Sequence, residues 1–454
     1  MPEPAGPNLA DLAGGVAATA RPGEQLEVYV ARADETDIRV YDGAVESLSV
    51  ARTAGVGVRV ISAHRQGFAW CGTLDAAAVR DAVADARDNA PFGAPDEWNR
   101  LPEPSDLDGA APSEIDGWRD DVLATSTDAK VALALEVERA ARGRARIRGV
   151  ELAAYGDTAV EVALATSTGI EASMRRTVCS CATSALAGDD GETQTGYGVS
   201  AGRSVAELDP AAAAEEATTR AARLLGARPT RSRALPVVLD PLVTRSLLSL
   251  IGGALGGEAV LKGRSVFAGR EGEVMGAAGV TLVDDPTRTE AFGAASHDSE
   301  GVPTRRTTLI DEGRIAAFLH NTHTGNRAGT ASTGSAVRAG YRSTPGVGFR
   351  ALHLVPGPDP PEALLAAEPE LLYVQTVSGL HSGTNPVSGD LSVGAEGLMV
   401  RGGAFAEPVR EVTIASTLPR LLRDVTAVAS DERWLPGGAA GVSVLVREMT
   451  ISGT

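Results

Sequence analysis

Period-two alternation of apolar and polar residues, cut by glycine turns, recurs along most of this chain and commits it largely to sheets. Leu26, Val28 and Val30 share one face of a strand. Residues 36–40, 45–52 and 56–61 repeat the pattern, separated by Asp42-Gly43 and Ala54-Gly55. Asp-Gly between alternating runs marks a tight hairpin, because both central residues take positive φ. The runs GVGVRV and FAWCG close this opening meander.

Helical spacing interrupts the strands at few places. Residues 8–20 predict a short helix ended by Arg21-Pro22-Gly23. Residues 74–89 predict another, with Thr73 as N-cap and Ala76, Val79, Ala82, Val83 and Ala86 as its apolar stripe. Residues 91–117, rich in Pro, Gly and Asp, predict an exposed loop. A helix over 127–142 follows, then strands over 150–155, 160–166, 171–187 and 192–203, then a helix over 210–225. At 226–233 the composition turns to Arg, Pro and Ser before the buried strand LPVVLDP. The domain boundary is set there, giving domains over 1–226 and 234–454. The second half predicts helices at 242–255 and 418–428 and otherwise short strands with glycine turns. The expected fold is α+β: an N-terminal antiparallel sheet with helices, then a mainly antiparallel domain, barrel-like or strongly bent.

Composition narrows the function. A net charge of -17 argues against nucleic acid, whose phosphates need basic patches. Cys71, Cys179 and Cys181 are too few for a disulfide framework. The opening MPEPAGPNLADLAGG has no charged start or apolar core of a leader, and no run of about 18 apolar residues exists to span a membrane. A cytoplasmic location is expected.

Four segments carry a family resemblance: DGAVESLSVARTAGVGVRV with FAWCGTLD; DSEGVPTRRTTLIDEGRIAAFLHNTHTGNRAG; SGDLSVGAEGLMVRGGAFAEPVREVTIA; and VASDERWLPGGAAGVSVLVREMTISG. In this order they resemble the TldD/PmbA peptidase family. Metal-bearing members hold zinc with HExxxH on the helix after the first strand of the second domain, where the glutamate acts on metal-bound water. The matching helix here is LLSLIGGALGG, with Ser249 and Ala254 at the histidine positions and Leu250 at the glutamate. The family's thiolate ligand falls in 428–435, which has no cysteine. The resemblance therefore implies the TldE/PmbA branch: a non-catalytic subunit without its own metal. Zinc is expected in an HExxxH-bearing TldD-like partner, and the complex would act on unfolded or modified peptides.

Other constellations carry alternatives. His320-x-x-His323 in HNTHTGN can be a metal pair, but hydrogen-bonded loop histidines are the expectation. Cys179-x-Cys181 shares a strand face and is expected to pack as small apolar residues. The loop SGLHSGTNPVSGD presents Ser378, Gly379, His381, Gly383, Asn385 and Asp390 as candidates for binding a peptide or partner, its glycine amides being suited to strand addition. Ser378 or Ser382 with His381 keeps open a metal-free hydrolase. A stand-alone homodimeric peptide-binding protein is the other alternative.

Overall fold

The computed structural model describes residues 7–107, 109–189 and 191–453. The first six residues and Asp108, within the segments read above as leader-free and as loop, lie outside that set. The first half is one antiparallel sheet of β1 (Glu24–Tyr41), β2 (Ala44–Ser62), β3 (Arg65–Cys71), β4 (Ile147–Thr166), β5 (Glu171–Asp189) and β6 (Glu192–Gly202), in the order β3-β2-β1-β4-β5-β6. Two meanders thus lie side by side, joined by their first strands.

The Asp42-Gly43 turn forms as expected, with both residues at positive φ and both amides donated to the Glu138 carboxylate. The expected break at Ala54-Gly55 does not occur, because β2 runs straight through it. Gly55 instead admits a neighbour: a Cβ there would lie 2.4 Å from the Tyr341 ring, and one on Gly57 would lie 2.3 Å from the Tyr341 carbonyl oxygen. In the same way the runs 26–30 and 36–40 fuse into β1, and 150–155 and 160–166 into β4.

The helices of this half are α1 (Leu9–Ala17), α2 (Ala76–Asn89), the single turn α3 (Asp121–Ala124), α4 (Thr127–Arg142) and α5 (Pro210–Arg223). Leu26, Val28, Val30, Val56, Val58 and Val60 bury against α1 and α2. Ile38, Val40, Tyr155, Cys179 and Cys181 bury against α4 and α5. Burial pushes the Cys179 thiol up to about 12 and Cys181 up to about 11, so both remain protonated packing groups. Asp75, not Thr73, caps α2, its Oδ1 accepting from the amides of Ala77 and Ala78. Residues 91–117 are tethered rather than simply exposed. Leu101 is fully buried, and Arg100 pairs with Asp106 at 2.5 Å.

The second half opens with β7 (Arg233–Leu239), α6 (Pro241–Ala254) and α7 (Gly257–Leu261). A small sheet follows from β8 (Leu282–Asp284), β9 (Thr307–Asp311), β10 (Arg314–Ile315) and β13 (Leu352–Leu354), ordered β10-β9-β8-β13. Between them come α8 (Thr322–Ala328) and the pair β11 (Ala336–Val337) and β12 (Gly346–Val347). After α9 (Pro361–Ala366) the chain forms β14 (Glu370–Ser378), β15 (Asp390–Arg401), β16 (Ala404–Thr417), α10 (Leu418–Asp424) and β17 (Val425–Val428). It ends in the pair β18 (Arg433–Trp434) and β19 (Ala440–Gly441), then β20 (Val444–Ser452). The order β16-β15-β14-β7-β20 closes through β16–β20 pairing into a five-stranded barrel. The fold is α+β, as the alternation implied. The expected helix over 418–428 is cut at Asp424, where Val425–Val428 pairs with β20 instead. β-Branched residues favour that choice. Among the described residues no helix is long and apolar enough to cross a membrane.

Glycines set two close packings. Gly397 lets β15 turn past β14, since its Cβ would lie 1.8 Å from the Tyr373 carbonyl oxygen. Gly196 and Gly198 let α5 lie directly on β6, with Cβ positions 2.2 Å and 2.1 Å from the carbonyl oxygens of Ala217 and Ala213. Gly196→Ala is expected to lower stability by about 1–3 kcal/mol through overpacking, read as a shift of the urea midpoint without a change of slope.

Candidate functional site

The face of the first sheet opposite its helices meets the second half of the chain. Glu27 lies at its centre, fully buried and directly across from Arg59 on β2. Its carboxylate pairs with Arg59 at 2.6 Å and with Arg338 at 2.5 Å. Arg59 also reaches Glu300 at 3.2 Å. The second oxygen of Glu300 accepts the amide of Thr322, the first residue of α8, at 2.8 Å. Arg338 stacks 4.5 Å above the Tyr29 ring. Burial works against ionising Glu27, but Arg338 and Arg59 overcome it and hold the carboxyl below its usual value.

Next to this seam, Asp298 turns its carboxylate inward to the amides of Glu300, Val302 and Ala336, at 2.8–3.0 Å. Burial and the charge of Glu300 nevertheless push it up to about 7. Arg350 donates to Ser299 Oγ at 2.9 Å, and its own amide donates to Asp284.

The sequence-predicted positions lie elsewhere and do not converge. Ser249 is half-buried on α6, its hydroxyl donating back to the Arg245 carbonyl at 2.9 Å. Leu250 packs on the barrel core and Ala254 lies within it. In 428–435 the two carboxylates are engaged: Asp431 with the amide and hydroxyl of Ser443, Glu432 with Arg288 at 2.7 Å.

Ser378, Gly379, His381, Asn385 and Asp390 are exposed in the loop between β14 and β15, and Gly383 is half-exposed. This loop bonds mostly to itself. The amides of Gly383 and Gly389 donate to Gly379 and Asn385, and Ser388 Oγ donates to Asp390 at 2.6 Å. Those two glycine amides are therefore not free for an added strand. Ser382 Oγ donates to the Gly379 carbonyl, and among the described residues no hydrogen bond joins His381 to Ser378 or Ser382. The HNTHTGN segment is not a loop. Asn321 forms a capping box with Thr324, and α8 begins there. His320 is buried beside Thr324, and burial lowers its pKa; His323 bonds Asp96 of the first half at 2.9 Å. The two histidines face different partners.

Family models match three consecutive stretches: PmbA/TldA metallopeptidase domain 1 over residues 26–90, the central domain over 120–225 and the C-terminal domain over 232–453. The chain belongs to the PmbA/TldD metallopeptidase family. The metalloprotease PmbA of Escherichia coli O157:H7 is 25% identical over 439 residues, 94% of this chain and 92% of that one. A metalloprotease of Methanothermobacter thermautotrophicus is 29% identical over 247 residues, and the match spans about half of each chain, 52% and 54%. The crystal structure of TldE from Thermococcus kodakarensis shares the fold with a TM-score of 0.87, 23% identity and coverage of 94% and 97%.

The zinc that the PmbA/TldD resemblance implies for metal-bearing members does not fit the residues present. Leu250 and Ala254 offer no donor atom, the Ser249 hydroxyl is used within its helix, and the nearby carboxylates are paired. Among the described residues no three His, Cys, Asp or Glu side chains converge as metal ligands. Sequence reasoning missed the seam. Glu27 between Leu26 and Val28 and Arg59 between Val58 and Val60 fall at the polar positions of the alternation, so the strand pattern does not set them apart.

Glu27→Gln is expected to cost about 3–5 kcal/mol, because it leaves Arg59 and Arg338 buried without their shared carboxylate. A lowered folded-state pKa means that the contribution of Glu27 is complete above the unfolded value of 4.5 and is lost as pH falls through the lower folded value. Chemical denaturation from pH 7 to pH 3 should therefore show the gap between wild type and E27Q closing only at the acid end.

Proposed function

We propose that this chain is the metal-free, TldE/PmbA-like subunit of a two-component peptidase. A TldD-like partner bearing HExxxH supplies the zinc and the bond cleavage. The observation that carries this reading is the donor chemistry at the two family positions. Ser249, Leu250 and Ala254 on α6 cannot supply imidazole ligands or a general base, and 428–435 has no thiol. The barrel against which they pack is closed, so the frame is kept where the donor side chains are absent. Family membership supports peptides as the substrate class, and the complex would degrade or mature unfolded or modified ones. Such a subunit shapes the chamber and orients peptide while the partner cuts.

The test has two readouts. Purified alone, the chain is expected to hold no stoichiometric zinc by elemental analysis and to leave an unstructured peptide uncut. Mixed with an HExxxH-bearing family member from the same genome, it is expected to form a stable hetero-oligomer and to raise cleavage well above that of the partner alone. Stoichiometric zinc, cleavage by the isolated chain, or a homodimer that ignores the partner would overturn the proposal.

A further inference from the structure

β6 pairs only with residues 179–189 of β5, which leaves residues 171–178 with β4 on one side and an open edge on the other. That edge is closed from Arg175 onward by Gly117, whose carbonyl accepts the Thr177 amide at 2.9 Å and whose Cβ position would lie 3.3 Å from the Arg175 carbonyl oxygen. Backbone polar groups alternate sides along a strand. The N–H and C=O of Ser173 and Arg175 therefore point to the same open side as those of Thr177. Among the described residues they have no partner there. Unpaired strand edges invite another strand.

A cleft of about 1220 Å³ lies along this edge, walled by residues 112–118, the start of α1 and residues 289–297 of the second half. Arg176 lines it near the Gly117 closure. It is half-buried and, among the described residues, has neither a hydrogen bond nor an ion pair. The other cations nearby are occupied or add to its charge. Arg32 pairs with Glu161 at 2.8 Å, and Arg175 stacks on Trp118 at 5.2 Å. Arg203 is buried behind the wall, with one Nη lacking any acceptor and lying against Gly117. Burial and Arg350 lower the Arg176 pKa. A cation so placed is costly until an anion arrives.

We propose that this cleft binds an extended peptide by its free C-terminus. The peptide backbone adds to the open edge of β5 beside Ser173, up to where Gly117 covers Arg175. Its terminal carboxylate meets Arg176 where Gly117 ends the edge, so the peptide runs parallel to β5. The open edge over residues 171–174 spans roughly 13 Å at about 3.3 Å per residue, enough for the last four residues of a peptide. The choice of a peptide ligand rests on the reading that the chain serves a peptidase; the site itself belongs to this chain alone.

The test uses the full chain without a partner and an N-terminally labelled alanine-valine hexapeptide, read by fluorescence anisotropy. The free acid is expected to bind about tenfold or more tighter than its C-terminal amide, the range of a hydrogen bond to a charged group. In Arg176→Gln the two should bind equally. The thermal midpoint of R176Q should not fall, since the lost cation has no partner in the free protein. Equal binding of acid and amide to wild type, a preference that survives in R176Q, or no binding of either would overturn the site. An amidated peptide ending in Glu that binds as well as the free acid would move recognition to a side chain and overturn the terminal assignment. Competition by acetate alone at the same strength would reduce the site to a small-anion pocket. Reconstitution with an HExxxH-bearing chain is read separately, so failure there with selectivity intact here removes the partner and leaves the site.

Discussion

The molecule depends on the burial of one carboxylate in the middle of a long strand. Glu27 sits on β1 with apolar neighbours before and after it, and the sheet face it occupies is covered. A charge there is tolerable only if cations reach it. One comes from the adjacent strand, Arg59, and the other from more than three hundred residues later, Arg338. Arg59 then needs more negative charge, which Glu300 supplies, and the free oxygen of Glu300 holds the first amide of α8. Strand pairing, docking of the two halves and the start of a helix are thereby linked through shared atoms. The DSEG segment supplies the second half's acidic part of this arrangement. Asp298 folds the turn, Glu300 joins the network, and Gly301 takes a φ of 81° close against Ile170.

Much of the fold was legible because alternation and turn chemistry are local. The strand faces, the Asp42-Gly43 hairpin, α4, α5, α6 and the antiparallel character of the second half all follow from short-range pattern. The misreadings share a different cause. Gly55 looks like punctuation, but its reason is the Tyr341 ring approaching from far along the chain. Residues 425–428 continue a helical pattern, but β20 offers them a pairing partner. HNTHTGN reads as polar loop, yet its Asn321 and Thr324 build a capping box that starts a helix. At Ser249, Leu250 and Ala254 the sequence shows only which side chains stand there, and none is an imidazole, thiolate or carboxylate. The seam is a tertiary fact: Glu27 and Arg59 stand at the polar positions of the alternation, and nothing local says that the face they occupy is covered.

Packing alone accounts for the position of the helix that carries Ser249, Leu250 and Ala254. α6 is held by Leu247, Leu248 and Ile251 in the barrel core. Gly252 accepts the Phe349 and Leu352 side chains, and Gly257 sits against the ring of His320. The Ser249 hydroxyl is satisfied within the helix, so no polar atom there waits for a ligand. A structural zinc typically supplies folding energy to its domain. This helix draws its position from packing.

The seam and the open edge of β5 belong to the same sheet, and the first prepares the second. Residues 289–297 form one wall of the cleft, and they are fixed to the turn that carries Asp298 and Glu300 through Ala295 and Thr304 and through the His297–Pro303 bridge. Arg203 ties the first half to the Ala291 carbonyl at 2.5 Å. The wall therefore does not have to be ordered when a ligand enters, and the entropy of arranging it is not charged to binding. Like charges from Arg176, Arg203 and Arg350 collect where the rigid halves meet, and their repulsion is sustained by the buried network beside them. An anion entering the cleft would relieve that repulsion in a site already shaped.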